Sequence, residues 1–316
     1  MIITLKDTTT IEVASRLDRL RDEAGSGARG RVLTLLVVVR EAIDVDRAIE
    51  ISEAASREHP CRVIVVVEGE DAGSARLNAQ IRVGGSAGPS EVVVLEPRGE
   101  AGRDLDTLVM PLLLSDTPVV TYWPNEAPDN PGQHPLGRLA VRRITDSRAT
   151  DCPVSTLRDL SLVHTPGDTD LAWSGVTLWR ALLATIVSGL PSHPVGVHVT
   201  GNATHPSSYL VALWLRRQLQ VPVTHEVDPE ALTITGVHFT LEDSSTTSLT
   251  RSASSTVAHL DRTGLVVSDV NLPRRSVQDC LMEELRRLDP DVFYGRLISE
   301  DLAAFAPVTH QLRELA

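Results

Sequence analysis

Apolar positions recur at helical spacing from Thr10 to Glu23. Ile11, Leu17 and Leu20 fall toward one side and Arg16, Asp18 and Arg19 toward the other, which predicts an amphipathic helix. The aliphatic run Val32–Val39 follows without polar alternation, the pattern of a strand covered on both faces. Helical periodicity over Asp44–Glu58 and a second continuous run, Arg62–Val67, complete a strand–helix–strand unit, so the two strands are expected to be parallel. Weaker strands at Leu77–Val83 and Glu91–Leu95 are separated by the glycine-rich segment 84–89, a hairpin-length linker that predicts an antiparallel pair. Arg103–Ser115 reads as a helix with Leu105, Leu108, Leu112 and Leu113 inward, leading into the strand Pro118–Trp123. Pro124–Pro135, with four prolines and two asparagines, is predicted to be a long ordered loop.

A second unit is expected after His164–Asp168. Its elements are a helix over Leu171–Leu183 anchored by Trp173 and Trp179, a strand at Val195–Val199, a helix at His205–Gln220 and a strand at Pro222–Glu226. Short runs at 232–241, 245–250, 255–261 and 265–271, divided by turn residues, predict an antiparallel meander, and two helices at 278–288 and 293–305 follow it. The fold class expected is α/β: a mixed, mostly parallel N-terminal sheet flanked by helices over residues 1–168, then an α+β unit with a meander over 169–316.

Composition narrows the function. The formal charge of −12 argues against a dedicated binder of nucleic acid or of anionic membranes. Lys6 is the only lysine, which disfavours Schiff-base chemistry and a Walker-type loop. Three scattered cysteines, Cys61, Cys152 and Cys280, form no CxxC pair and suggest reduced thiols. The first twenty residues lack the apolar core of a signal peptide, and the longest apolar stretch, about Ala181 to Val187, is far too short for a bilayer. A cytoplasmic location is expected.

Candidate chemistry is thin. Gly25-Ser-Gly-Ala-Arg-Gly30 matches the letters of a dinucleotide fingerprint, but a helix precedes it and a strand follows, the reverse of the order that aims a helix start at a pyrophosphate. Gly201–Ser208 has the correct order. There Asn202, Thr204, Ser207 and Ser208 form either a helix cap or an anion site, and capping is the commoner use of such a segment. The ten histidines show no metal-ligand spacing, no nucleophile elbow occurs, and Glu283, Glu284, Asp289 and Asp291 read as a solvated acidic face. No catalytic residue, cofactor or metal is assigned. Tyr122-Trp123-Pro124 closes a strand and opens the long loop, where a partner could dock or the rings could serve as core.

Four segments resemble the glucose-6-phosphate dehydrogenase assembly protein OpcA family in its actinobacterial form. They are Glu58–Val63, Asp116–Pro124, Asp146-Ser-Arg148, and Asp170–Trp173 with Trp179–Leu183. The resemblance implies a non-catalytic protein that binds glucose-6-phosphate dehydrogenase, promotes its active oligomer and so supports the oxidative pentose phosphate pathway. It makes Cys61, Arg62, Tyr122, Trp123, Pro124, Arg148, Trp173 and Arg180 the motif positions, with the docking surface expected near Tyr122–Pro135 and the start of the second unit. In cyanobacterial relatives the cysteines are linked to thioredoxin control, an arrangement to which Cys152 and Cys280 are not matched. The alternative is a sugar-phosphate or anion sensor, or an enzyme, built on the helix start at 201–208.

Overall fold

The computed structural model describes residues 1–24, 31–69, 73–83 and 91–302; the glycine segment 25–30, the linker 84–90 and the end of the last expected helix lie outside them. In chain order the elements begin with β1 (Ile2–Leu5), α1 (Thr10–Ala24), β2 (Leu33–Val39), α2 (Val45–Ser56), β3 (Cys61–Val67), β4 (Arg76–Val83) and β5 (Glu91–Arg98). Next come α3 (Leu105–Val109), β6 (Val119–Trp123), α4 (Pro135–Leu139), β7 (Arg142–Thr145), α5 (Pro153–Leu162), β8 (Asp168–Asp170), α6 (Leu171–Gly175) and α7 (Thr177–Ser188). The rest are β9 (Pro194–Gly201), α8 (Pro206–Leu219), β10 (Val223–Val227), β11 (Ile234–Leu241), β12 (Thr246–Thr250), β13 (Val257–Arg262), β14 (Ser268–Asn271), α9 (Val277–Arg286) and α10 (Val292–Arg296).

The backbone groups into two compact units. Unit 1 holds residues 1–149, 165–171 and 277–291; unit 2 holds 150–164, 172–276 and the segment from Val292. Unit 1 is an eight-stranded sheet in the order β1-β4-β5-β3-β2-β6-β7-β8. The six strands from β5 to β8 run parallel, and β1 and β4 add antiparallel at one end. Both faces are covered, as the unbroken aliphatic runs require: Leu35, Val37 and Val39 meet α2 and α9, while Leu36 and Val38 share a core with α1, α3 and α4.

Unit 2 is a six-stranded sheet, β10-β9-β11-β12-β13-β14, parallel only between β9 and β10. Its inner face packs Val197, Val199, Val237 and Phe239 against α7 and α8. The meander is as the periodicity predicts. Among the described residues no helix is long and apolar enough to cross a membrane.

Four local expectations change. The buried stripe of α1 is Val13, Leu17 and Leu20, at i, i+4 and i+7, whereas Ile11 is exposed. Helix α3 is short because Pro111, lacking an N–H, converts its continuation to a 3-10 turn at Met110–Leu112. The helix expected over 171–183 is divided at Val176, directly after Gly175, into α6 and α7. Glu284 is buried rather than solvated, since Cys280, Leu281, Glu284 and Leu285 share the inward face of α9.

Candidate functional site

Unit 1 places its chemistry outside the carboxyl ends of its parallel strands. From β2 the neighbours diverge, β3 to one side and β6 to the other, and that divergence is where open α/β sheets leave a ligand crevice. Toward β6 the chain's own side chains meet there. The turn after β2 is Arg40-Glu41-Ala42-Ile43-Asp44, with none of the glycines of a dinucleotide fingerprint and with two carboxylates ahead of α2. Glu68, following β3, meets His134 Nε2 at 2.7 Å. Because His134 Nδ1 accepts from the Leu136 N–H, its Nε2 carries the proton and donates to Glu68. The imidazole also stands edge-on to Trp123, centroids 5.4 Å apart and planes at 89°. Arg40 and Glu126 pair at 2.7 Å on the exposed rim.

Tyr122, Trp123 and Pro124 are all buried; Tyr122 and Trp123 are 0% and 1% exposed. The two rings therefore belong to the core. Strand β6 lies between β2 and β7, so the loop 124–135 rises from the carboxyl end of an interior strand and not from a side edge of the sheet. Beside it, the Tyr122 hydroxyl is buried without a hydrogen-bond partner, and burial, with Asp146 adding to it, raises the phenol well above its usual range. Arg148 grips Asp146 with two hydrogen bonds of 2.7 and 2.8 Å and reaches Cys280 Sγ at 3.7 Å. Burial works against the Arg148 charge, but the hydrogen bonds and charge of Asp146 outweigh it and raise the pKa. Asp170 accepts from the Ser147 N–H at 2.8 Å and from the Ser147 and Thr145 hydroxyls at 2.9 and 2.7 Å. These contacts orient the loop after β7.

The other motif residues lie apart from this cluster. Cys61 and Arg62 begin β3, at the opposite end of the sheet. Arg62 bonds Glu91 and the Leu112 carbonyl, and burial pushes the Cys61 thiol up to about 12 with Arg31 only partly offsetting it, so the thiol is unreactive. In unit 2, the Arg180 guanidinium lies 3.5 Å from the centroid of the Trp173 ring, and Trp173 stacks on Phe293 at 6.0 Å. This pair organises the interior of unit 2, where Trp173 is 2% exposed. Around 201–208 the helix cap is His205, whose side chain accepts from the Ser207 N–H. Asn202 bonds the Ala231 carbonyl and Thr204, and the Ser208 hydroxyl turns back to the Asn202 and His205 carbonyls. The N-cap is thus His205, and the side chains of Asn202, Thr204 and Ser208 bond within the segment or to Ala231. Among the described residues no three His, Cys, Asp or Glu side chains are grouped to hold a metal ion.

His225 sets a pH dependence in unit 2. It is 1% exposed against Tyr209, with centroids 4.7 Å apart, and burial, helped by His198, lowers its pKa to about 4. Between about pH 6.5 and 4 the unfolded chain takes up a proton that the folded one does not. The stability it contributes is complete above pH 6.5 and falls as pH drops toward 4, by up to about 3 kcal/mol. Urea unfolding at pH 7.5 and 4.5 should show this loss, and His225→Phe should reduce it; an unchanged pH dependence in the variant would discount the assignment.

The geometry defines a class first: a doubly wound α/β unit with a Glu68–His134 pair at the carboxyl ends of its parallel strands, in one chain with an α+β meander unit. Residues 52–162 match the family model described as glucose-6-phosphate dehydrogenase subunit N-terminal domain, and residues 166–298 match the corresponding C-terminal domain. The chain belongs to the OpcA family of glucose-6-phosphate dehydrogenase assembly proteins. No curated protein matches the sequence. Among solved structures, the 3-ketoreductase KijD10 from Actinomadura kijaniata is similar at 10% identity, covering 88% of this chain and 98% of its own, with a TM-score of 0.47. An oxidoreductase from Sinorhizobium meliloti is similar at 10% identity over 87% and 96%, with a TM-score of 0.45. Likeness this distant carries no functional argument.

Proposed function

We propose that this chain binds glucose-6-phosphate dehydrogenase, promotes its active oligomer and performs no chemistry itself. It would act in the cytoplasm, at the entry to the oxidative pentose phosphate pathway. Family membership supplies the partner. The observation that supports a binding role is the crevice at β2 and β6, where Glu68 and His134 pair with each other and the turn after β2 carries none of the glycines of a dinucleotide fingerprint. An activator of this kind works by holding the partner's active state more tightly than its inactive one, about 1.4 kcal/mol for each tenfold shift.

The docking surface we assign is the loop 124–135. At its base the half-buried His134 stands edge-on to the buried Trp123, while Glu126, Asp129 and Gln133 are exposed. Dehydrogenase activity titrated with this chain, alongside the mass of the mixture, tests the reading. The wild-type chain should raise both the rate and the assembled mass. Asp129→Arg, an exposed change that leaves the fold intact, should weaken the response about tenfold. A wild-type chain that alters neither mass nor rate would end the assembly reading, whereas full activity of Asp129→Arg would remove only the docking site.

A further inference from the structure

Outside the carboxyl ends of β2, β3 and β5 lies a cavity of about 390 Å³, lined by Arg40, Val67, Gly69, Glu96, Pro97 and Arg98 among others. That volume falls within the range of roughly 300–1,000 Å³ common to small-molecule sites. In a doubly wound sheet these three strands form one mononucleotide-binding half, with the ligand over the strand ends. The lining carries two arginines against one carboxylate, a local excess of positive charge in a chain of net charge −12. Guanidinium groups match phosphate oxygens in a planar fork, and Val67 and Pro97 offer apolar wall to a base. Toward β6, Glu68 and His134 pair with each other.

We propose that this cavity binds a nucleoside monophosphate, the phosphate facing Arg40 and Arg98 and the base against Val67 and Pro97. The incoming dianion competes with Glu126 for Arg40, and both partners of that pair are exposed, so the exchange costs little. The site is read out on this chain alone and does not depend on the dehydrogenase.

Calorimetry on the full chain with AMP, adenosine and inorganic phosphate tests it. AMP should bind, inorganic phosphate should bind more weakly, and adenosine weakest of all. Arg98→Ala removes an exposed side chain and should weaken AMP about tenfold or more. Gly69→Val should give a similar loss with no change of charge, since a Cβ there already comes within 3.0 Å of the Pro97 carbonyl oxygen. A larger cavity of about 590 Å³, lined by Lys6, Arg16 and Arg19 among others, serves as the control. Lys6→Ala with Arg19→Ala should leave AMP binding unchanged. Absence of AMP binding at millimolar concentration overturns the proposal. So does phosphate binding equal to AMP, or affinity that follows the control pair instead of Arg98 and Gly69.

Discussion

Arg142→Ala is expected to cost unit 1 about 3–5 kcal/mol, with the larger loss above neutral pH. Arg142 is 1% exposed; it bonds Glu284 at 2.5 Å and the Arg287 and Asp289 carbonyls at 3.1 and 2.7 Å. It thus ties β7 to α9. Burial pushes the Glu284 carboxyl up to about 7, while Arg142 pulls the other way. A raised acid contributes stability that is complete below its unfolded pKa of about 4.5 and is lost as pH rises through 7. Without Arg142 the carboxylate that forms above pH 7 has lost its guanidinium partner, so urea midpoints should fall further at pH 8 than at pH 6. Arg142→Met combined with Glu284→Leu should recover most of the loss, because replacing both partners of a buried pair with apolar groups removes the unmet charge. A single-variant loss below about 1 kcal/mol at both pH values would show that the pair is not desolvated in solution.

Gly137→Ala should abolish most of the dehydrogenase response while unit 1 remains folded. A Cβ at Gly137, in α4, would come 1.8 Å from the Pro131 carbonyl oxygen and 3.3 Å from Arg143 Cδ. The obstacle at Pro131 is backbone, so the loop must move. Overpacking of this kind typically costs about 1–3 kcal/mol, well short of unfolding a large sheet. Because the displaced segment is the loop proposed to dock the dehydrogenase, the expected reading is a drop of about tenfold or more in dehydrogenase stimulation, with a modest fall in the urea midpoint. Gly196→Ala in β9 is the matched control: nothing lies within 4 Å of its Cβ position, so neither quantity should change. Wild-type stimulation by Gly137→Ala, with hydrogen exchange confirming a displaced loop, would place docking elsewhere.

Three strands of unit 1 escape a reading of local pattern, and the reason is common to them. β7 reads Arg-Arg-Ile-Thr and β8 reads Asp-Thr-Asp, sequences in which charge hides the strand. They are stable because Arg143 pairs with Asp168, 25 residues on, and Arg142 with Glu284, 142 residues on. β1 gains its ladder from β4, far along the chain. The candidate site was partly legible for a similar reason. The motif segments around Tyr122 and Arg148 do meet at one end of the sheet, yet Cys61 and Arg62 lie at the other, and Glu68 and His134 carried no signal of their own. Glu284 did carry one, since it sits at i+4 from Cys280 on a face otherwise apolar.

The chain's own periodicity determined the parallel aliphatic strands β2 and β3, the crossover helix between them, the antiparallel β4–β5 pair and the meander of unit 2. Each is a local matter of which side chains leave water together. Tertiary structure alone decided that β7 and β8 join the sheet, that Trp123 is buried in the core, and that Glu68 and His134 pair with each other. Those outcomes rest on buried charges and rings finding partners that are distant along the chain, and a pattern read over a dozen residues does not contain them.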